Sequence, residues 1–402
     1  MQQGRRLIVL CVAILVALVS YIFWMFELPL GSFGTIDFQQ YWATWRTLRE
    51  GSNPYGGDYS LLQSSHTEAS GILTTYNPPW TAVFLSPILS LPFPSAALAW
   101  FMLEICFLCL IAVYAPRALG RTPKALMGGA IATGFFLPFF DAMFVGQLGI
   151  LMALAIVLFL LWEGQGRLFL AGLALIPLTF KPHLFLLFCV PGFLWMRQLS
   201  SKQLGHFVGG SVGVFATLVA LTLCVAPASL GDWLETFLFA DSSHGEQSLL
   251  LKWQTATLAT GFRALWGYAT GYYPLWPMWV IPLSGFLGTI VFFGRYKRPI
   301  VWHEVTPWLL CVSLATASYG WLFDQSVLVV CQIAIVCDAL TYRNRLAKAL
   351  MISSVVLVEV IGFKLRCTPG VFYHHFVWFP VAMLALLYLN QRFLACERSV
   401  VS

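Results

Sequence analysis

"PPWTAVFLSPILSLPFP", Pro78 to Pro94, decides how the chain is threaded. Its apolar core runs for about a dozen residues between proline pairs, short of the ~17–25 that a spanning helix needs, and the prolines interrupt any longer helix. Read as an interfacial or re-entrant helix, it leaves Arg46, Arg49, Lys181, Lys252, Arg263, Lys364 and Arg366 outside and the rest of the 23 Lys and Arg residues inside. Read as a span, it flips every later loop and puts most of the positive charge outside, against the rule that inside loops collect Lys and Arg. The non-spanning reading is therefore adopted, with both termini inside.

The composition agrees with a polytopic membrane protein. Of 402 residues, 59% are hydrophobic and only 10% charged, where soluble domains carry about 25% charge, and the mean hydropathy is +0.78. The net charge of +6 then reflects topology and gives no reason to expect a nucleic-acid partner. Apolar runs lie at 7–26, 94–115, 125–141, 147–162, 167–180, 183–196, 204–226, 275–293, 305–318, 325–341, 347–363 and 373–390. They predict an all-α integral membrane bundle of about 12 transmembrane helices, 10 to 13 being open because several runs are short. The first, behind Arg5 and Arg6, lacks a small-residue cleavage site and reads as a retained helix. No repeat or low-complexity region divides the chain, so 1–402 reads as one domain. Most cysteines fall inside apolar runs, where they act as small hydrophobes.

Two long outside segments, about 27–93 and 227–274, are rich in Trp and Tyr. In "DFQQYWATWRTLREG", Phe38, Tyr41, Trp42, Trp45 and Leu48 share one helical face, and Gly51 supplies a stop. The spacing predicts a juxtamembrane helix lying on the outer surface, with Asp37 at its start. Asp37 reads as its N-cap and as a reactive carboxylate, two compatible roles.

Asp-Phe-x-x-Tyr-Trp in the first outside loop, then "GSNPY", then Tyr-x-Pro-Pro before a short apolar helix, resembles glycosyltransferase family 87 of the GT-C superfamily. The likeness continues through "VGQLG", an Ala-Gly step and "TFKPHLF", and resumes in "ATASYGWLFDQSVLV". It covers most of 33–200 and a patch near 316–328. The resemblance implies a GT-C-like bundle in the plasma membrane. It implies an inverting glycosyltransferase that moves a sugar, mannose or another hexose, from a polyprenyl-phosphate donor to a lipid-linked or cell-envelope acceptor on the outer face. It implies Asp37 as general base and no cofactor or metal. Where relatives carry a His after Ser-Pro and Trp, this chain has Ser318, Tyr319, Trp321 and Asp324, so no His role is carried over.

Such chemistry needs a carboxylate to take the acceptor's proton and cations or donors for the departing phosphate. Lys181 either snorkels to the interface or meets phosphate, and Arg46 is a second phosphate candidate or part of a solvated face. Asp324 pairs with Lys181 or Gln147, or meets substrate. Gln147, Asn77, Tyr41 and His374 are candidate substrate contacts, with helix capping or surface placement as the plainer reading. Glu104 and Glu359, costly in lipid, are expected to face the bundle interior. A transporter or flippase remains the alternative function, disfavoured because the polar and aromatic residues gather at the outer ends rather than near mid-membrane.

Overall fold

Among the described residues the apolar runs fold as helices, some of them part α and part 3₁₀. A computed structural model of the chain describes residues 37–55, 75–121, 126–243 and 255–399; the expected first span, 7–26, lies outside them. Among the described residues there are helices and no strand. Six of the helices are long and apolar enough to cross a membrane, or seven when a bent pair is counted as one span. The expected spans at 147–162, 167–180, 183–196 and 305–318 are helices too short to cross alone, and with 7–26 outside the described residues these account for the difference from 12.

The first outside loop contributes α1 (Phe38–Arg49) and α2 (Pro79–Leu89). At 11 residues, α2 is about 16 Å long against a hydrocarbon core of about 30 Å, so it cannot span. Proline at its start and before α3 (Phe93–Ala118) suits first-turn positions that need no N–H partner. The aromatic stripe of α1 faces protein. Phe38, Tyr41, Trp42, Trp45 and Leu48 are buried against α2 and the start of α3, with Phe38 stacked on Trp100 at 5.7 Å. The Trp42 and Trp45 indole N–H groups donate to Leu91 O at 2.9 Å and Ser90 Oγ at 3.0 Å. Buried indole N–H groups usually find such partners.

The bent pair is α4 (Leu126–Gly134) and α5 (Leu137–Val145), which meet at 52°. A break inside a membrane frees backbone groups that must find partners. Here Gln332 Nε2 donates to Ala132 O at 3.0 Å and Glu359 Oε2 accepts from the Leu137 N–H at 2.8 Å. Glu359 therefore faces the interior with a partner, and Glu104 on α3 is likewise buried. The chain continues through α6 (Gly149–Gly164), α7 (Leu168–Ala174), two 3₁₀ segments (Ile176–Phe180, Pro182–Phe188) and α8 (Cys189–Met196). Then α9 (Ser201–Val225) carries a π turn at Gly209–Gly213, followed by α10 (Ser229–Ser243), α11 (Leu258–Thr270), α12 (Pro277–Arg295) and α13 (Trp302–Thr316). A third 3₁₀ segment, Leu322–Leu328, leads into α14 (Val329–Thr341), and α15 (Arg345–Arg366) and α16 (Trp378–Ser399) close the bundle.

Candidate functional site

The turn "VGQLG" between α5 and α6 organises the site. Gly146 adopts φ +75°, the left-handed region that glycine enters without strain, and it ends α5. The N–H groups of Gly146 and Gln147 both donate to Ala142 O, and Val145 O accepts from the Asp37 N–H at 2.7 Å, which ties α1 to this turn. Gly149 lets α6 approach the Leu322–Leu328 segment, because a Cβ there would overlap the Phe323 carbonyl oxygen.

Gln147 is the hub. Its Nε2 donates to Asp37 Oδ2 at 2.6 Å, and its Oε1 accepts from the Tyr41 hydroxyl at 2.7 Å and from Lys181 Nζ at 3.1 Å. Lys181 also donates to Asp324 Oδ1 at 2.7 Å and lies 4.7 Å from the centre of the Phe323 ring. Asp324 Oδ2 accepts from the Trp321 N–H at 2.9 Å. Lys181 stands at the break between two 3₁₀ segments, at φ −139° and ψ 64°, so the broken helix is what brings the ammonium inward. The interior placement rules out snorkelling, and Asp324 takes up the pairing that an isolated buried charge would require.

Asp37 is the N-cap residue of α1 by position, but its side chain accepts no cap hydrogen bond. Its Oδ2 is held by Gln147, and no described residue donates to Oδ1. Burial raises the Asp37 pKa above the ordinary aspartate value, against the lowering effects of the Gln147 hydrogen bond and the Lys181 charge. Burial likewise pushes the Tyr41 phenol well up, so it stays a neutral donor. Asn77 adjoins Tyr41, and its carbonyl accepts from the Tyr55 hydroxyl at 2.9 Å.

Three residues not singled out from the sequence complete this end of the bundle. Asp141, on α5, lies within electrostatic range of Asp37 and is paired with Arg366. Arg366 Nε donates to Asp141 Oδ1 at 2.7 Å, and the Tyr373 hydroxyl reaches the same oxygen at 3.3 Å. Tyr373 packs edge-on against Trp321 at 4.9 Å, joining this pair to the Asp324 segment. The signal for Asp141 was present, since a lone acid closing an apolar run is functional by default. Arg366 was legible only as an outside charge.

Two candidates are placed elsewhere. Arg46 Nη2 donates to Ser90 O and Leu91 O at 3.2 Å, fastening the far end of α1 to the α2–α3 turn. His374 Nε2 is 3.2 Å from the Tyr268 hydroxyl on α11 and makes no hydrogen bond to the Gln147 network. Among the described residues no cluster of three His, Cys, Asp or Glu side chains suits a metal ion.

Fold and site together define a membrane protein, helical throughout its described residues, in which the Asp37 carboxylate is held at one end of the bundle by an amide that an ammonium in turn orients. The chain belongs to glycosyltransferase family 87, whose model matches residues 75–323. That stretch contains Asn77, Gln147 and Lys181, while Asp37, Asp324 and Arg366 fall outside it. No curated protein and no solved structure matches the chain. Membership makes it a membrane glycosyltransferase.

Proposed function

We propose that the protein transfers a hexose, with mannose the first choice, from a polyprenyl-phosphate donor to a lipid-linked or cell-envelope acceptor at the outer face of the plasma membrane. The carrying observation is Asp37 itself, with Oδ2 anchored on Gln147 and Oδ1 free of described donors. An acceptor hydroxyl attacks the anomeric carbon, its proton passes to Asp37, and the bond from that carbon to the phosphate oxygen breaks, releasing the lipid monophosphate. One displacement inverts the anomeric centre. A carboxylate fixed through one oxygen and open at the other suits a general base.

The leaving phosphate needs positive charge. Lys181 Nζ is engaged by both Asp324 at 2.7 Å and Gln147 at 3.1 Å, so in this reading its role is to orient Gln147. Arg366 spends Nε on Asp141, and no described residue accepts from its terminal amino groups. Those two groups suit bidentate phosphate recognition, which makes Arg366 the phosphate ligand in this reading. In this reading Tyr41 and Asn77 contact the sugar.

Broken helices at Lys181 and before Asp324 also suit a transporter or flippase, where such breaks line substrate paths. Family membership favours transfer over transport. The test is a donor panel. Purified protein with an envelope-lipid extract is offered radiolabelled polyprenyl-phosphate hexoses and, separately, the corresponding nucleotide sugars. Transfer from polyprenyl-phosphate mannose alone supports the proposal, and transfer from nucleotide sugars alone contradicts the donor assignment.

A further inference from the structure

At the end of the bundle away from Asp37, helices α12, α13 and α16 leave a groove of about 590 Å³. Its lining includes Gly285, where Thr316 packs close to the backbone, and Gly288, which faces open space, on α12, with Trp308 and Val312 on α13 and Tyr296 and Glu304 beside them. Helix α12 is largely exposed to the surroundings, with Leu283, Leu287, Val291 and Phe292 on its surface, so in a bilayer the groove opens sideways into lipid. From Gly285 to Tyr296 it runs about 16 Å at 1.5 Å per residue, close to half of the ~30 Å hydrocarbon core. That is the depth of one leaflet.

The lining includes one charged residue, Glu304, and the chain on either side of Tyr296 is basic. Arg295 is the last residue of α12 and Lys297 and Arg298 follow it, all three exposed, and Glu304, also exposed, lines the groove from the first turn of α13. A wholly anionic headgroup would be drawn to the basic run but repelled by Glu304. A headgroup with a phosphate and a primary ammonium satisfies both. A polyprenyl tail fits less well, because its phosphate belongs at the opposite end of the bundle, beside Asp37.

We propose that this groove is a binding site for one zwitterionic aminophospholipid of the adjoining leaflet. One acyl chain lies along Gly285 and Gly288, the phosphate faces Arg295–Arg298, and the ammonium faces Glu304. The site is separate from the transfer chemistry, and its test does not depend on activity.

The full-length protein, purified in detergent, is mixed with equal amounts of dioleoyl phosphatidylethanolamine, phosphatidylcholine and phosphatidylglycerol and examined by native mass spectrometry. One retained phosphatidylethanolamine is expected. Gly288→Leu, whose side chain enters open space, is expected to abolish retention without moving the thermal midpoint. Glu304→Gln is expected to lower the ratio of phosphatidylethanolamine to phosphatidylglycerol about threefold, the scale of an exposed ion pair. If Gly288→Leu fails to fold, the Glu304→Gln ratio decides. No retained lipid, preference for phosphatidylglycerol in the wild type, or an unchanged ratio in Glu304→Gln would overturn the proposal. So would a polyprenyl phosphate, or a second copy of the chain, bound in place of phosphatidylethanolamine.

Discussion

Asp37 and Lys181 do not touch; they are held in register by the two ends of one amide, Gln147 donating to Asp37 at 2.6 Å and accepting from Lys181 at 3.1 Å. Because Lys181 can only donate and an ionised Asp37 can only accept, the amide must point one way. Its orientation is fixed by its neighbours, and so is that of the carboxylate.

Gln147→Leu removes that coupling. It leaves Asp37 free to rotate and Lys181 with Asp324 alone, and a misplaced reacting group costs about 10²-fold in rate. Steady-state kinetics should show a fall of that order in kcat with KM nearly unchanged. A rise in KM at constant kcat would mean that Gln147 binds substrate and does not position the base.

The acid limb of kcat/KM reports Asp37. Burial raises its pKa, and the base works only when deprotonated, so activity is lost as pH falls through a value above the ordinary ~3.9. Lys181 lowers that pKa in the wild type. Lys181→Met should therefore move the limb to still higher pH. A limb at or below the ordinary value, or a shift in the opposite direction, would contradict the electrostatic account.

The Lys181–Asp324 pair is buried on both sides. Removing one partner leaves an uncompensated charge and costs about 3–5 kcal/mol, whereas replacing both with apolar groups costs far less. Asp324→Leu should lower the thermal midpoint more than the double variant Lys181→Met, Asp324→Leu. The reverse order would mean that the pair is not a coupled unit.

Gly149→Ala puts a methyl group into the Phe323 carbonyl. Overpacking of this kind costs about 1–3 kcal/mol, and it would push the Asp324 segment away from the Gln147 turn. Thermal melts and transfer rates should both fall, while Gly192→Ala, which meets open space, should leave both unchanged.

The bundle was legible because hydrophobic runs are long and a charge asymmetry orders them. The length of α2 and its flanking prolines settled its non-spanning character from sequence alone. The broken helices were not legible, since "LIPLTFKPHLFLLF" has the composition of an ordinary span and its break at Lys181 arises from Pro177, Pro182 and tertiary pairing. The network of Asp37, Tyr41, Gln147, Lys181 and Asp324 joins five residues named in advance. Their mutual order was hidden, because it depends on one left-handed glycine and one glycine contact, Gly146 and Gly149. Asp141 and Arg366 are 225 residues apart, and neither the α5 pattern nor the α15 pattern names the other.

The most direct test of the central claim compares wild type and Asp37→Asn in sugar transfer from radiolabelled polyprenyl-phosphate mannose to an envelope-lipid extract, both proteins shown to be folded by thermal melt. The amide keeps the shape but cannot accept the proton, so general-base loss of about 10²–10⁴-fold is expected. Equal transfer by the two proteins would contradict Asp37 as the base.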